Sequence, residues 1–163
     1  MAGMAPAIFV ALEQSGFSAA IRQSLWVYPL ANIAHIVFLF VVAGTVVITD
    51  VCLLGGFAVT DPRPVLARAR IFAAAALLGM AITGFVLFAA EAGHLATNPV
   101  FQLKIVLIAA GLANAAVYEF WLWQRITTLS SDAAMPAIAK VTGLCSLAIW
   151  ISVAACGRSI AYF

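Results

Sequence analysis

Residues 30–54 read LANIAHIVFLFVVAGTVVITDVCLL. As a helix rising about 1.5 Å per residue, this stretch crosses a hydrocarbon core of roughly 30 Å. One ionisable side chain, His35, lies inside it ahead of the terminal Asp50. A titratable group in a lipid-spanning segment is costly and is read by default as functional. Imidazole is also the commonest metal ligand and a frequent axial ligand of haem iron. The chain holds one other histidine, His94, so much of the functional question is whether the two act together.

The rest of the chain fits the same environment. Hydrophobic residues make up 66% and charged residues 9% of the 163 positions, where a soluble domain carries about a quarter charged. An integral membrane protein of four or five spans follows, with no room for a separate soluble domain. The first basic residue is Arg22, so the charged n-region of a secretory signal is missing. The net charge of +2 is small and spread over several loops, which argues against nucleic-acid binding. The three cysteines, Cys52, Cys145 and Cys156, all lie in apolar helical context. They read as small buried residues rather than a disulfide framework, and no C-x-x-C-H offers covalent haem attachment.

Residues 4 to 20 are apolar but interrupted by Glu13, Gln14 and Ser15, which suits a short interfacial or re-entrant helix. Arg22, Gln23, Trp26, Tyr28 and Pro29 then mark a membrane boundary. The predicted spans cover about 27–54, 66–92, 100–123 and 136–157, forming one all-α transmembrane four-helix bundle. Between them lie the turn TDPRP, the Asn98-Pro99 loop and the polar loop TTLSSDAAMP. The loops after spans 1 and 3 carry Arg63, Arg68, Arg70, Arg125 and Lys140, against Arg22, Lys104 and Arg158 on the other side. Positive-inside therefore places the Arg63–Arg70 loop in the cytoplasm and both termini outside, in a bacterial inner membrane the periplasm.

Counting back from Asp50 and forward from Ile71 puts His35 and His94 on the same side at similar depth. Two histidines from neighbouring helices are what bis-histidine ligation of haem b requires. Small residues Ala31, Ala34, Ala92 and Gly93 leave space for a macrocycle, and Arg22, Lys104 and Arg158 lie where propionates would seek cations. The plainer alternative has His35 hydrogen-bonded across helices and His94 in an ordinary loop. Lys104 either snorkels to the interface or faces inward toward a propionate, Glu91 or an anionic substrate. Asn114, near mid-depth, suits a bridge between helices. Asp50 and Glu119 form a second polar layer at the opposite end, where ion pairs with Arg63, Arg68 or Arg70 are expected. A proton or quinone site is the other possibility for that layer.

Three motifs recur together: HIVFLFVVAGTVVITD from His35, TGFVLFAAEA from Thr83 and NPVFQLKIVLIAAGLANA from Asn98. In this the chain resembles small bacterial four-helix membrane proteins of unknown function. More distantly it is similar to the membrane core of CopD-type copper-resistance proteins and to the HemJ-type protoporphyrinogen oxidase. His35 matches their first-span histidine, and Phe101-Gln-Leu-Lys104 matches their aromatic-x-x-Lys motif. The resemblance covers most of residues 25 to 120 and implies non-covalent haem b with His35 as ligand and Lys104 functionally important. Val100-Phe101 departs from the aromatic-histidine pair of the HemJ type, which weakens porphyrinogen oxidation. The four methionines, Met1, Met4, Met80 and Met135, are scattered rather than clustered, which leaves copper handling without support.

The expected function is thus a haem b protein of the inner membrane, moving single electrons between a quinone and a redox partner. Its iron would be held by His35 and His94, with Lys104, Arg22 and Arg158 around the cofactor. Two rivals stand beside it. One is a cofactor-free accessory subunit packed against other membrane subunits or its own copies. The other is a small transporter or porphyrin-acting enzyme using His35, Glu91 and Lys104.

Overall fold

The computed structural model describes residues 5–56, 61–129 and 133–162. Thr60 of the TDPRP turn, residues 130–132 of the polar loop, Met1 and Met4 lie outside them. The N-terminal apolar stretch forms two short helices, α1 (Ala7–Glu13) and α2 (Gly16–Gln23), rather than one. Ser15 divides them: its hydroxyl donates to the Leu12 carbonyl at 2.6 Å and accepts from the Ser18 amide, a serine N-cap.

Four helices are long and apolar enough to cross a membrane, the build of a multi-pass membrane protein. They are α3 (Val27–Leu53), α4 (Arg63–Ala90), the continuous run Pro99–Thr128, and α8 (Ala137–Ser159). A six-residue helix, α5 (Ala92–Thr97), joins α4 to the third span. That third span is not uniform: α6 (Pro99–Val117) passes through a π-helical turn at Tyr118–Leu122 into α7 (Trp123–Thr128).

Local chemistry explains the boundaries. Ser24 accepts from the amides of Trp26 and Val27 as α3 begins. The helix stops where Gly55 takes φ +88°. Gly56 N–H then bonds Val51 O and Gly55 N–H bonds Cys52 O, the Schellman closure that a left-handed glycine permits. Asp61 accepts from the Arg63 amide at 3.1 Å and from its Nε at 2.8 Å, opening α4. Those bonds from Arg63 hold the exposed Asp61 carboxyl below the usual carboxylate range. Asn98 accepts from the amides of Val100 and Phe101 and, with Pro99 in the first turn, starts α6.

The spans pack in the order α4, α3, α8, α6. Lipid tails are as apolar as leucine, so close approach rather than hydrophobic burial drives such packing. Gly143 brings α8 against α3: a Cβ there would stand 3.3 Å from Leu53 Cβ and 3.4 Å from the Asp50 carbonyl. Gly111 seats Trp150 against α6, and Gly79 on α4 faces the Phe38 ring of α3. Among the described residues α4 and α6, the ends of this series, scarcely touch. The bundle is an open arc with its fourth interface missing.

Candidate functional site

The missing interface is a cavity of about 750 Å³. Its back wall is α3 and α8, contributing Thr45, Thr49, Asp50, Thr142, Ser146 and Trp150. Its flanks are α4, with Arg70 and Ala74, and the α6–π run, with Asn114, Tyr118 and Glu119. Ile71 and Phe120 on the two flanks are 72% and 76% exposed, so the mouth faces the lipid between α4 and α6. The cleft is pinned above and below. At the His94 end Phe88 of α4 stacks on Phe101 of α6, centroids 5.3 Å apart and planes 6° off parallel. At the other end Arg70 Nε donates to Glu119 Oε2 at 2.7 Å, with a second guanidinium contact to Oε1. The Arg70 guanidinium also lies 4.0 Å from the centroid of the Trp123 ring.

Sequence places the polar groups on the inner face. Thr45 and Thr49, and Thr142 and Ser146, are spaced i, i+4, so each pair shares one helix face. Thr45 donates to the carbonyls of Val41 and Val42, and Thr142 to Ile138. Their protons are therefore spent on their own helices, and only oxygen lone pairs remain for the cavity. Asn114 donates through Nδ2 to the Thr142 carbonyl at 3.2 Å, the interhelical bridge expected of it.

Asp50 and Tyr118 are different. Asp50 is 2% exposed and Tyr118 8%. Ser146 stands beside the Asp50 carboxyl, yet Asp50 Oδ2 and the Tyr118 hydroxyl have no hydrogen-bond partner among the described residues. Both line the cavity. The expected arginine pairing thus holds for Glu119 and not for Asp50. Arg70 is taken by Glu119, and Arg63 binds Asp61 and the Leu129 carbonyl. Two polar groups buried without partners carry an unrecovered desolvation cost of about 1–3 kcal/mol each, and such groups call for an explanation.

The residues singled out for haem lie at the other end. His35 Nδ1 is 2.9 Å from Thr83 Oγ1, and Thr83 donates its own proton to the Gly79 carbonyl at 2.8 Å. With the Thr83 proton on Gly79, the imidazole donates through Nδ1–H and Nε2 keeps a lone pair; the direction of this bond follows the ring tautomer. Gly84 makes room for the ring: a Cβ there would come within 3.2 Å of His35 Cε1. The Lys104 ammonium lies within electrostatic reach of His35 and reaches α8, 3.5 Å from where a Gly157 Cβ would stand. Among the described residues Lys104 pairs with no carboxylate.

The other three candidates make contacts of their own. Arg22 Nη1 donates to the Ala90 carbonyl at 3.0 Å, a cation on the C-terminus of α4. Glu13 accepts from the Gly93 amide at 2.6 Å, at the start of α5. The α1–α2 pair is therefore fastened to the α4–α5 corner by both charges. His94 is exposed on α5. Arg158 donates to the Tyr162 hydroxyl at 2.6 Å. The structure joins His35 to Thr83 and sets Lys104 nearby, while His94, Arg22 and Arg158 make separate contacts. Among the described residues no three His, Cys, Asp or Glu side chains gather as a metal cluster. Haem ligation needs only one or two.

No curated protein and no solved structure matches this chain, so the likeness to CopD-type and HemJ-type proteins rests on its motifs alone. One family model does match, over residues 14–163, nearly the whole length. The four-span arc and its cavity therefore belong to a member of DUF6644, a family of unknown function.

Proposed function

We propose that this protein binds a lipid-soluble molecule with one polar end, taken from the bilayer through the gap between α4 and α6. The observation that carries the reading is the pair of unpartnered polar groups, Asp50 Oδ2 and the Tyr118 hydroxyl, inside a laterally open cavity. An apolar shell with a few convergent polar groups is the ordinary make-up of a small-molecule site. With Lys and Arg in excess at this end, the positive-inside rule sets the site in the cytoplasmic half of a bacterial inner membrane, both termini periplasmic.

The test uses one ten-carbon tail with three heads: decylamine, decanol and decanoate. Each is radiolabelled and dialysed against protein in nanodiscs, with empty discs as baseline. At least one should bind the wild type above baseline, and Ala74→Trp and Ala115→Trp, which fill the cavity from opposite flanks, should each remove that binding. If no head binds above baseline, or both fillers leave binding intact, the reading is wrong.

A second reading is favoured by the His35–Thr83 hydrogen bond. An Nδ1–H held by a hydroxyl while Nε2 keeps its lone pair is how metal-ligating histidines are oriented. His35 would supply one nitrogen ligand to haem b, and Lys104, within electrostatic reach of it, a cation for a propionate. His94, exposed on α5, is the candidate for a second ligand. Bound haem would supply one-electron chemistry, with quinone as a membrane-soluble partner. Purified protein should then show a Soret band that shifts on reduction and is lost in His35→Ala. A colourless protein reconstituted with haem that gives the same spectrum with and without His35 removes this reading.

A further inference from the structure

The cavity's charge identifies the head group. Three charged side chains line it: Asp50, Arg70 and Glu119. Arg70 and Glu119 neutralise each other in a two-point contact, and the guanidinium face is covered by Trp123. Among the described residues Asp50 alone of the three has no cation opposite it. The rest of the wall is polar but uncharged, with the Thr49, Ser146 and Tyr118 hydroxyls among its lining. The Thr45 and Thr142 protons are turned to their own helices, leaving oxygen lone pairs, and Asn114 spends one N–H on Thr142 and keeps its carbonyl oxygen and a second N–H. A carboxyl with no cation opposite it, beside these acceptors, is complementary to a cation that donates hydrogen bonds. Three aromatic side chains, Tyr118, Phe120 and Trp150, line the same space, and aromatic faces attract desolvated cations. Neutral heads would satisfy the hydrogen bonds and leave the charge; anionic heads would add to it.

We propose that the ligand is a lipophilic organic ammonium ion carrying at least one N–H, held by a salt bridge to Asp50. This rests on the bilayer-accessible site proposed above and names its ligand class. The ammonium reaches Asp50 at the back wall while the tail stays between α4 and α6. Arg70–Glu119 acts as the floor and keeps a second cation from being needed.

The same matched tails test it in the same nanodiscs at neutral pH, with decyltrimethylammonium added as a cation that has no N–H. Decylamine should bind the wild type at least tenfold tighter than decanol, and tighter than decyltrimethylammonium. Asp50→Asn, which keeps shape and removes charge, should cancel the preference over decanol, and Asp50→Glu should retain part of it. Size-exclusion and circular dichroism establish that each variant is folded. If decanol or decanoate binds as well as decylamine, and the cavity fillers remove that binding, the site stands and the ammonium assignment is overturned. An undiminished preference in Asp50→Asn overturns it too. If no head binds above empty discs, the site itself fails.

Discussion

At the scale of single residues, the decisive feature is which polar side chains have partners. Asp50 and Glu119 have the same charge, lie in the same layer and read alike in sequence. In the fold Glu119 meets Arg70 and Asp50 meets a cavity. That difference depends on helix rotation, which a hydrophobic run cannot encode when nearly every face is apolar. His35 is a milder case. Its cost in lipid was legible, and so was a cross-helix bond, but Thr83 as the partner was not. Small residues allow a sharper test. A methyl group on Gly79 would sit 2.5 Å from Phe38 Cζ, closer than packed atoms approach. Gly79→Ala should therefore lower stability by about 1–3 kcal/mol, the usual cost of overpacking. Adding Phe38→Leu should recover most of it. Thermal unfolding in one fixed detergent measures both; a Gly79→Ala protein as stable as wild type would show that α3 and α4 are not held at this contact.

At the scale of elements, the spans were readable because hydropathy and helix-end chemistry agree. The Asn98-Pro99 opening and the Gly55-Gly56 closure lie where their residues predict, and the three boundaries nearest them move by only a few positions. The polar stripe of the cavity was also present in sequence, as Thr45 with Thr49 and Thr142 with Ser146, each at i, i+4. It carries little signal by itself because hydroxyls in apolar helices mostly bond their own backbone. The π turn at Tyr118–Leu122 had no such signature. Such a turn amounts to one extra residue in an α-helix, and it often marks a functional site. Here Tyr118 and Glu119 line the cavity, and Tyr118 also joins Leu122 and Ile126 in the core cluster with Leu53 and Leu66. Deleting the exposed Phe120 should restore a plain α-helix with both flanking faces kept, so the protein should still fold. Ligand affinity in the cavity should fall at least tenfold, because the Tyr118–Glu119 turn is reshaped. Deleting Leu112 instead, within regular helix, rotates everything after it by about 100° and should sharply reduce folded yield. Equal yields from the two deletions would mean that the π turn is not a separate insertion.

At the scale of the whole molecule, an open arc has one consequence that a closed bundle lacks. Its site communicates with the bilayer sideways, and the leaflet it meets depends on orientation. Asp50, Arg70 and Glu119 lie toward the end bearing Arg63, Arg68, Arg125 and Lys140. Arg22, Lys104 and Arg158 lie at the other end, where Arg22 is held by the Ala90 carbonyl. In the orientation proposed above, five cations against three would put the cavity toward the cytoplasmic leaflet. Single cysteines at Asp61 and at Gly93 test this after the native thiols are removed as Cys52→Ala, Cys145→Ser and Cys156→Ser. In intact cells a membrane-impermeant maleimide should label position 93 and spare position 61 until the membrane is opened. Gly93 packs against Glu13, so Thr97→Cys, exposed one turn later on α5, serves as the second reporter. The reverse pattern would move the mouth of the cavity to the outer leaflet, and with it the pool of lipid-soluble molecules that Asp50 can meet. A reversed topology would also place Lys104 and His35 toward the cytoplasm, where the electron partner of a haem there would have to be found. Orientation thus decides the source of the ligand in the first reading and the side of the redox partner in the second.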